Sequence, residues 1–260
     1  MQKFSIKNRY GLEIVGDLLI PDNSIGLAVV QHGLGSYKEQ PSMQEVANTF
    51  YNNNYTVINF DATNSVGESG GKYEDATMQK HYEDLVDVIT WSKNQEWYKE
   101  PFVLAGQSMG GYAVVRYAEE FPKEVKAIFS YAGSISGKLS FETKEKFEPE
   151  KLKEWKETGW ISRVSKSKPG LVKRLPWSHM EERLNHDLIP KAGNIICPIL
   201  IIVGDQDDAC PEEVQKVLLE AIPESISKEM HIILGAPHTF KEQSHISEMG
   251  QVLNDWLKNI

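Results

Sequence analysis

Phe102-Val103-Leu104-Ala105-Gly106-Gln107-Ser108-Met109-Gly110-Gly111 is an apolar run that ends at a serine set among glycines and then continues as helix-forming sequence. A strand, a Gly-x-Ser-x-Gly turn and a helix in that order describe a nucleophile elbow. The turn is so tight that the positions two before and two after the serine have no room for a side chain. Gly106 and Gly110 meet that demand, and the serine hydroxyl is left alone above the edge of a sheet. The pentapeptide by itself is weak evidence, because glycine and serine are common, so its neighbourhood decides.

On the N-terminal side, Phe4 to Ile20 alternates apolar and polar residues around Tyr10-Gly11, which predicts an antiparallel hairpin. Leu27-Ala28-Val29-Val30 is a short continuous apolar run, as in a strand covered on both faces. It ends in the loop Gln31-His32-Gly33-Leu34-Gly35. Pro41 opens a helix with Met43, Val46, Ala47 and Phe50 on one face. Tyr55 to Phe60 is the next strand, followed by a glycine-rich loop from Asp61 to Gly71. Met78, Tyr82, Leu85 and Ile89 then predict an amphipathic helix over Thr77 to Lys93. Past the serine, Tyr112 to Phe121 reads as a helix and Ala127 to Ala132 as a buried strand.

The rhythm breaks at Gly133. From Ser134 to about Leu188 there is no apolar strand, one charged helix over Pro149 to Thr158, and a high content of aromatics. Disordered segments are poor in such residues, so 134–188 is expected to be a small inserted cap subdomain. The core is then one discontinuous domain, 1–133 and 189–260. It resumes with the strand Pro198 to Gly204, a helix from Pro211, a strand Met230 to Leu234 and a last helix bearing Ile246, Met249, Leu253, Trp256 and Ile260. Alternating strands and helices imply an α/β protein with a mostly parallel central sheet and helices on both faces.

The chain has 260 residues, 40% hydrophobic and 25% charged, and a formal charge of −9. That charge argues against nucleic acid as a partner, since phosphate binding needs clustered Lys and Arg. No apolar run approaches the ~20 residues that cross a bilayer, and the N-terminus lacks the apolar core of a signal peptide. A soluble, cytoplasmic protein with no membrane partner is expected. Cys197 and Cys210 form neither a disulfide framework nor a Cys-x-x-Cys site and are expected as one packed and one loop thiol. No histidine pair has the one-turn spacing of a helical zinc site. No metal and no cofactor are expected, and a homodimer is left open.

A serine hydroxyl is a poor nucleophile at neutral pH and needs a base within hydrogen-bond reach, usually a histidine oriented by a carboxylate. These should come from loops at the carboxyl edge of the same sheet. The strand Pro198 to Gly204 ends in Asp205-Gln206-Asp207-Asp208, and the strand Met230 to Leu234 ends in Gly235-Ala236-Pro237-His238. Ser108 is the candidate nucleophile and His238 the candidate base. His231 lies inside a strand, His245 starts the last helix, His81 belongs to a helix, His179 and His186 lie in or near the insertion, and His32 has a structural role in its loop. Asp205, Asp207 and Asp208 compete as the acid. Gly67-Glu68-Ser69-Gly70-Gly71 repeats the Gly-x-Ser-x-Gly pattern, but no apolar strand runs into it and it reads as a structural turn.

With His32-Gly33 after an early strand, the elbow at Ser108, Gly-x-x-Asp at Gly204 to Asp207, the late His238 and the chain order Ser, Asp, His, the sequence resembles the α/β-hydrolase family over nearly all of its length. The resemblance selects Asp207 as the acid. It implies an oxyanion hole from the backbone N–H groups of Leu34 and Met109, and it places Gly67 to Gly71 in a loop beside the active site. The run Phe60-Asp61 to Gly71-Lys72-Tyr73-Glu74 and Gly235-Ala236-Pro237-His238-Thr239-Phe240 are similar to bacterial cinnamoyl (feruloyl) esterases and related carboxylesterases. This implies a serine carboxylesterase acting through an acyl-enzyme on a small-molecule ester, an aromatic acid ester being the sharpest form. The alternatives are a serine peptidase or acyl thioesterase on the same fold, or a catalytically idle binding protein. A peptidase cap would anchor a peptide amino terminus with exposed carboxylates, for which Glu142, Glu145 and Glu148 are the candidates.

Overall fold

The apolar runs become neighbouring strands because each can bury both of its faces only inside a sheet covered on two sides. The computed structural model describes residues 1–165, 168 and 170–260. In chain order the elements are β1 (Gln2–Lys7), β2 (Glu13–Leu19), β3 (Gly26–Gln31), α1 (Pro41–Asn52), β4 (Tyr55–Phe60), α2 (Met78–Ser92), β5 (Phe102–Gln107), α3 (Met109–Glu120) and β6 (Val125–Tyr131). There follow α4 (Gly137–Phe147), α5 (Pro149–Thr158), β7 (Trp160–Val164), β8 (Val172–Pro176), α6 (Trp177–Arg183), β9 (Ile199–Gln206), α7 (Glu212–Ala221), β10 (Lys228–Pro237) and α8 (Gln243–Leu257).

Eight strands form one sheet in the order β1-β2-β4-β3-β5-β6-β9-β10. The expected hairpin pairs β1 with β2, and β2 runs antiparallel to β4; every other neighbouring pair is parallel. Because successive side chains point to opposite faces, each central strand serves two cores. Leu27 and Val29 of β3, Leu104 of β5 and Ile199 and Ile201 of β9 pack with α2, α3 and α7. Ala28 and Val30, Val103 and Ala105, and Leu200 and Ile202 pack with α1 and α8. The helical faces read from spacing are buried: Met43, Val46, Ala47 and Phe50 in α1, and Ile246, Met249, Leu253 and Trp256 in α8.

The chain moves outward from β3 to β4, then returns to place β5 on the other side of β3. At such a reversal the loops leaving the two central strands diverge and open a crevice at their carboxyl ends. The loops after β3 and β5 are therefore side by side, with those after β9 and β10 at the far end of the same edge.

Two regions differ from the sequence reading by more than a few residues at a strand end. The helix expected from Tyr112 begins at Met109, directly after Ser108, because the tight turn feeds straight into the first helical turn. Among the described residues the segment 134–188 holds three helices rather than one, together with an antiparallel hairpin of β7 and β8. Most residues of that hairpin are exposed and several are basic, so it has no apolar alternation by which to be recognised. Leu152, Trp155 and Met180 form a small apolar cluster of their own with Phe141, Ile161, Leu175 and Trp177. Among the described residues no helix is long and apolar enough to cross a membrane.

Candidate active site

Ser108 sits between β5 and α3 with φ +53° and ψ −114°, a backbone conformation that a residue with a side chain adopts only at a cost of about 1–3 kcal/mol. The turn is closed by contacts that only glycine permits. A Cβ on Gly106 would lie 2.3 Å from the carbonyl oxygen of Gly110, and one on Gly110 would lie 2.2 Å from that of Gln31. The Ser108 N–H donates to Tyr131 O at 3.2 Å, and its carbonyl accepts from Tyr112 N at 3.0 Å and Ser134 N at 2.9 Å. The backbone is pinned on both sides, and the hydroxyl is what remains.

That hydroxyl lies 3.2 Å from His238 Nε2. His238 Nδ1 lies 3.0 and 2.9 Å from the two carboxylate oxygens of Asp207. The structure thus brings Ser108, His238 and Asp207 together, from the ends of β5, β10 and β9. Asp207 is buried. Burial would raise its pKa, but the charge and hydrogen bond of His238 and the N–H groups of Cys210 and Ala209 outweigh burial and hold the carboxyl below its ordinary value. Those two N–H groups donate to Oδ1 at 2.8 and 2.9 Å. Asp205 faces elsewhere and accepts the Gly235 N–H at 2.6 Å, tying together the turn that carries His238. Gly204 is required in this arrangement, since a Cβ there would lie 1.9 Å from Ala236 O.

The loop after β3 approaches the elbow from the other side. A Cβ on Gly33 would lie 2.7 Å from Ser108 Cβ. The Gly33 N–H donates to Gln107 Oε1 at 3.0 Å, so the residue before Ser108 holds the loop against the elbow. The adjacent Leu34 N–H has no acceptor among the described residues. The Met109 N–H belongs to the first turn of α3, where amides have no intrahelical acceptor and the helix dipole favours negative charge. His32 is fully buried. Its Nε2 accepts the Ala62 N–H at 3.0 Å, so Nδ1 carries the proton and donates to Gly33 O at 2.7 Å. Burial lowers its pKa, and the neutral ring braces the loop.

Four of the five remaining histidines have structural partners. His81 Nε2 bonds His32 O at 2.7 Å, and burial pushes its pKa down to about 3. His179 stacks on Trp155 and bonds Ala76 O at 2.8 Å. His186 joins Glu182 to the Tyr112 hydroxyl, and His231 pairs with Glu248 at 2.9 Å. The carboxylates of Glu39, Asp61 and Glu68 lie close enough together to hold a cation. The buried Lys38 ammonium already bonds Glu39, Glu68 and Asp17 there.

A cleft of about 1330 Å³ opens above Ser108 and His238. Core loops contribute Leu34, Tyr37 and Phe240, and segment 134–188 contributes Trp155, Trp160 and Ile161. Of the three glutamates considered as cap anchors, Glu148 lines the cleft and Glu142 and Glu145 do not. Two contributors went unread in the sequence: Gln107, a polar residue closing an otherwise apolar buried strand, and the backbone of Ala209 and Cys210. The polarity of Gln107 was the available signal; main-chain donors leave none.

Known proteins share this arrangement of strands and helices. Est1E from Butyrivibrio proteoclasticus, whose structure was solved with ferulic acid bound, superposes with a TM-score of 0.80 at 19% identity over 98% of both chains. Alpha/beta hydrolase domain-containing protein 10 from mouse gives 0.78 at 20% identity over 100% of this chain and 99% of the other. By sequence, the bovine palmitoyl-protein thioesterase ABHD10, mitochondrial, is 24% identical over 214 residues, covering 79% of this chain, which spans 64% of that relative's length. The sheet is that of an α/β hydrolase. A profile of the Hydrolase_4 family, described as serine aminopeptidase, S33, matches residues 22–171, more than half of the chain, and the chain belongs to that family.

Proposed function

We propose that the protein is a serine carboxylesterase that cleaves small carboxylic esters through an acyl-enzyme, with 134–188 acting as a cap over a core of 1–133 and 189–260. The observation that carries this reading is the unbroken chain from Ser108 Oγ through His238 to Asp207 at the floor of an open cleft. His238 Nε2 takes the Ser108 proton as Oγ attacks the ester carbonyl carbon. Asp207 holds the Nδ1–H and stabilises the imidazolium. The oxyanion forms against the N–H groups of Leu34 and Met109, donors of a kind worth ~2.7–4 kcal/mol each. Collapse breaks the C–O bond to the alcohol, which leaves with the proton from His238. Water then attacks the acyl-enzyme by the same route and frees the acid and Ser108.

Trp155, Trp160, Phe240 and Tyr37 in the cleft wall suit an aromatic acyl group, and the fold likeness to a protein solved with ferulic acid agrees with that preference. A thioesterase uses the same machinery, and the name of the bovine relative supports it as the second reading. A peptidase that holds a peptide amino terminus is less well supported, because Glu148 is already bonded to Lys144, Lys151 and Arg163. The test is a panel of 4-nitrophenyl esters of rising acyl length, methyl ferulate, an acyl thioester and an aminoacyl anilide, with fluorophosphonate labelling of Ser108. Fastest turnover of the short or aromatic esters is expected. Turnover of the anilide alone sinks the esterase reading.

A further inference from the structure

The cleft wall runs against the charge of the chain. The protein carries −9 overall, yet four basic side chains, Lys151, Arg163, Lys173 and Lys241, line the cleft against three carboxylates, Glu148, Glu154 and Asp208. One of those carboxylates is already spent. Glu148 accepts from Lys151 Nζ at 2.6 Å and from Arg163 Nη2 at 2.6 Å, and Lys144 Nζ stands 3.4 Å away. Three cations share one anion, so this patch keeps a positive surplus. Two neighbours register it. Burial would raise the Glu148 pKa, but Lys151, Arg163 and Lys144 pull it down to about 2. Burial, then repulsion from Arg163 and Arg183, lowers that of Lys144 despite Glu148 beside it.

The Arg163 side chain is 49% exposed and stands on β7 within the cleft wall, next to Trp160 and Ile161. A guanidinium presents a planar fork that fits a carboxylate, which a point-charge ammonium does not. Among the described residues the lining carries one more cation than anion, which matches a single carboxylate better than a doubly charged phosphate. A volume of about 1330 Å³ exceeds what a small ester fills at Ser108, leaving room for a chain from the scissile bond to this wall.

We propose that the wall formed by Arg163 and Lys151 binds a free carboxylate on the substrate, so that the enzyme favours esters bearing a second, unesterified acid group over their neutral counterparts. This rests on the esterase reading and names its substrate class, with Arg163 as the residue that sets specificity.

The experiment uses 4-nitrophenyl half-esters of straight-chain dicarboxylic acids from glutaric to suberic acid. Each is compared with the same compound methylated at the far carboxyl. For at least one chain length, kcat/KM is expected to be about tenfold or more higher for the acid, the worth of one charged hydrogen bond. The difference should lie in KM and shrink as sodium chloride is added. Arg163→Gln should bring the acid-to-methyl ratio close to one, and Arg163→Lys should restore part of it. Equal turnover of acid and methyl ester at every length overturns this inference alone, as does a preference that survives in Arg163→Gln. Absence of turnover for both forms, with Ser108 unlabelled by fluorophosphonate, overturns the esterase reading and this inference with it.

Discussion

The chain contains Gly-x-Ser-x-Gly twice, at Gly67 to Gly71 and at Gly106 to Gly110, and the structure puts the two serines to opposite uses. Ser69 spends its hydroxyl on the backbone, donating to Asp61 O at 2.6 Å and accepting from Val15 N at 2.8 Å. Its glycines make room for side chains: a Cβ on Gly67 would lie 2.1 Å from the Asp61 carboxyl carbon, and one on Gly71 2.2 Å from Asn64 Oδ1. Ser108 is the reverse. Its backbone is held by Tyr131, Tyr112 and Ser134, its glycines make room for neighbouring backbone, and its hydroxyl meets a histidine. One five-residue pattern therefore serves either to close a loop or to leave a serine hydroxyl facing a histidine. What separates the copies is the strand that leads into the second and the helix that leaves it.

The widest way to test that contrast is to delete each hydroxyl. Ser108→Ala should lower kcat for 4-nitrophenyl acetate by roughly 10⁴–10⁶-fold, with a melting temperature close to the parent's, because alanine keeps the Cβ that strains the turn. Ser69→Ala should keep kcat within about threefold while losing about 1–3 kcal/mol of stability, read by denaturant unfolding. If both variants lose activity alike, the two copies are not functionally distinct.

Second in size, Asp207→Asn should cost on the order of 10⁴-fold in kcat by leaving His238 in the wrong tautomer, with the fold retained by circular dichroism. Asp205→Asn, two residues away, keeps an Oδ1 that can accept the Gly235 N–H and should cost far less. Smaller again is Gln107→Ala. Freed from Gln107 Oε1, the Gly33 loop can drift from the elbow, and kcat should fall by roughly 10–100-fold with little change in KM, less than the full loss of an oxyanion donor.

The smallest effect concerns α3, the helix that follows only the second copy. Glu119 in it is 4% exposed, and its Oε1 has no hydrogen-bond partner among the described residues. Burial pushes its pKa up to about 8. The folded state therefore holds this proton more tightly than the unfolded chain does. The stability it contributes is present below the unfolded value near 4.5 and is lost as pH rises through about 8. Glu119→Gln should match the parent at pH 5 and melt a few degrees higher at pH 9, on the scale of ~2–4 °C per kcal/mol for a chain of this size.

Much of this could be read in advance because burial writes itself into composition. Leu27 to Val30, Tyr55 to Phe60, Phe102 to Ala105 and Ala127 to Tyr131 need apolar side chains on both faces, and each became a strand of the sheet. The hairpin of β7 and β8 escaped because Arg163 and Arg174 are exposed along with Val164 and Val172, so no apolar period is imposed. Gln107 escaped for another reason. Its polarity at the end of an apolar strand marks it, but its partner is Gly33, 74 residues earlier, and local sequence does not name that partner.

By itself the sequence determined the order of strands and helices on either side of 134–188, the tight turn at Ser108 and the presence of a histidine and an aspartate on late loops, because each follows from local sterics or from repeated burial along one segment. Only the tertiary structure decided which aspartate meets His238, which of two identical motifs carries a free hydroxyl, and which cations gather beside Glu148 in the cleft. Those outcomes depend on distances between residues far apart in the chain, and they are settled when β3, β5, β9 and β10 bring their ends to one edge of a twisted sheet.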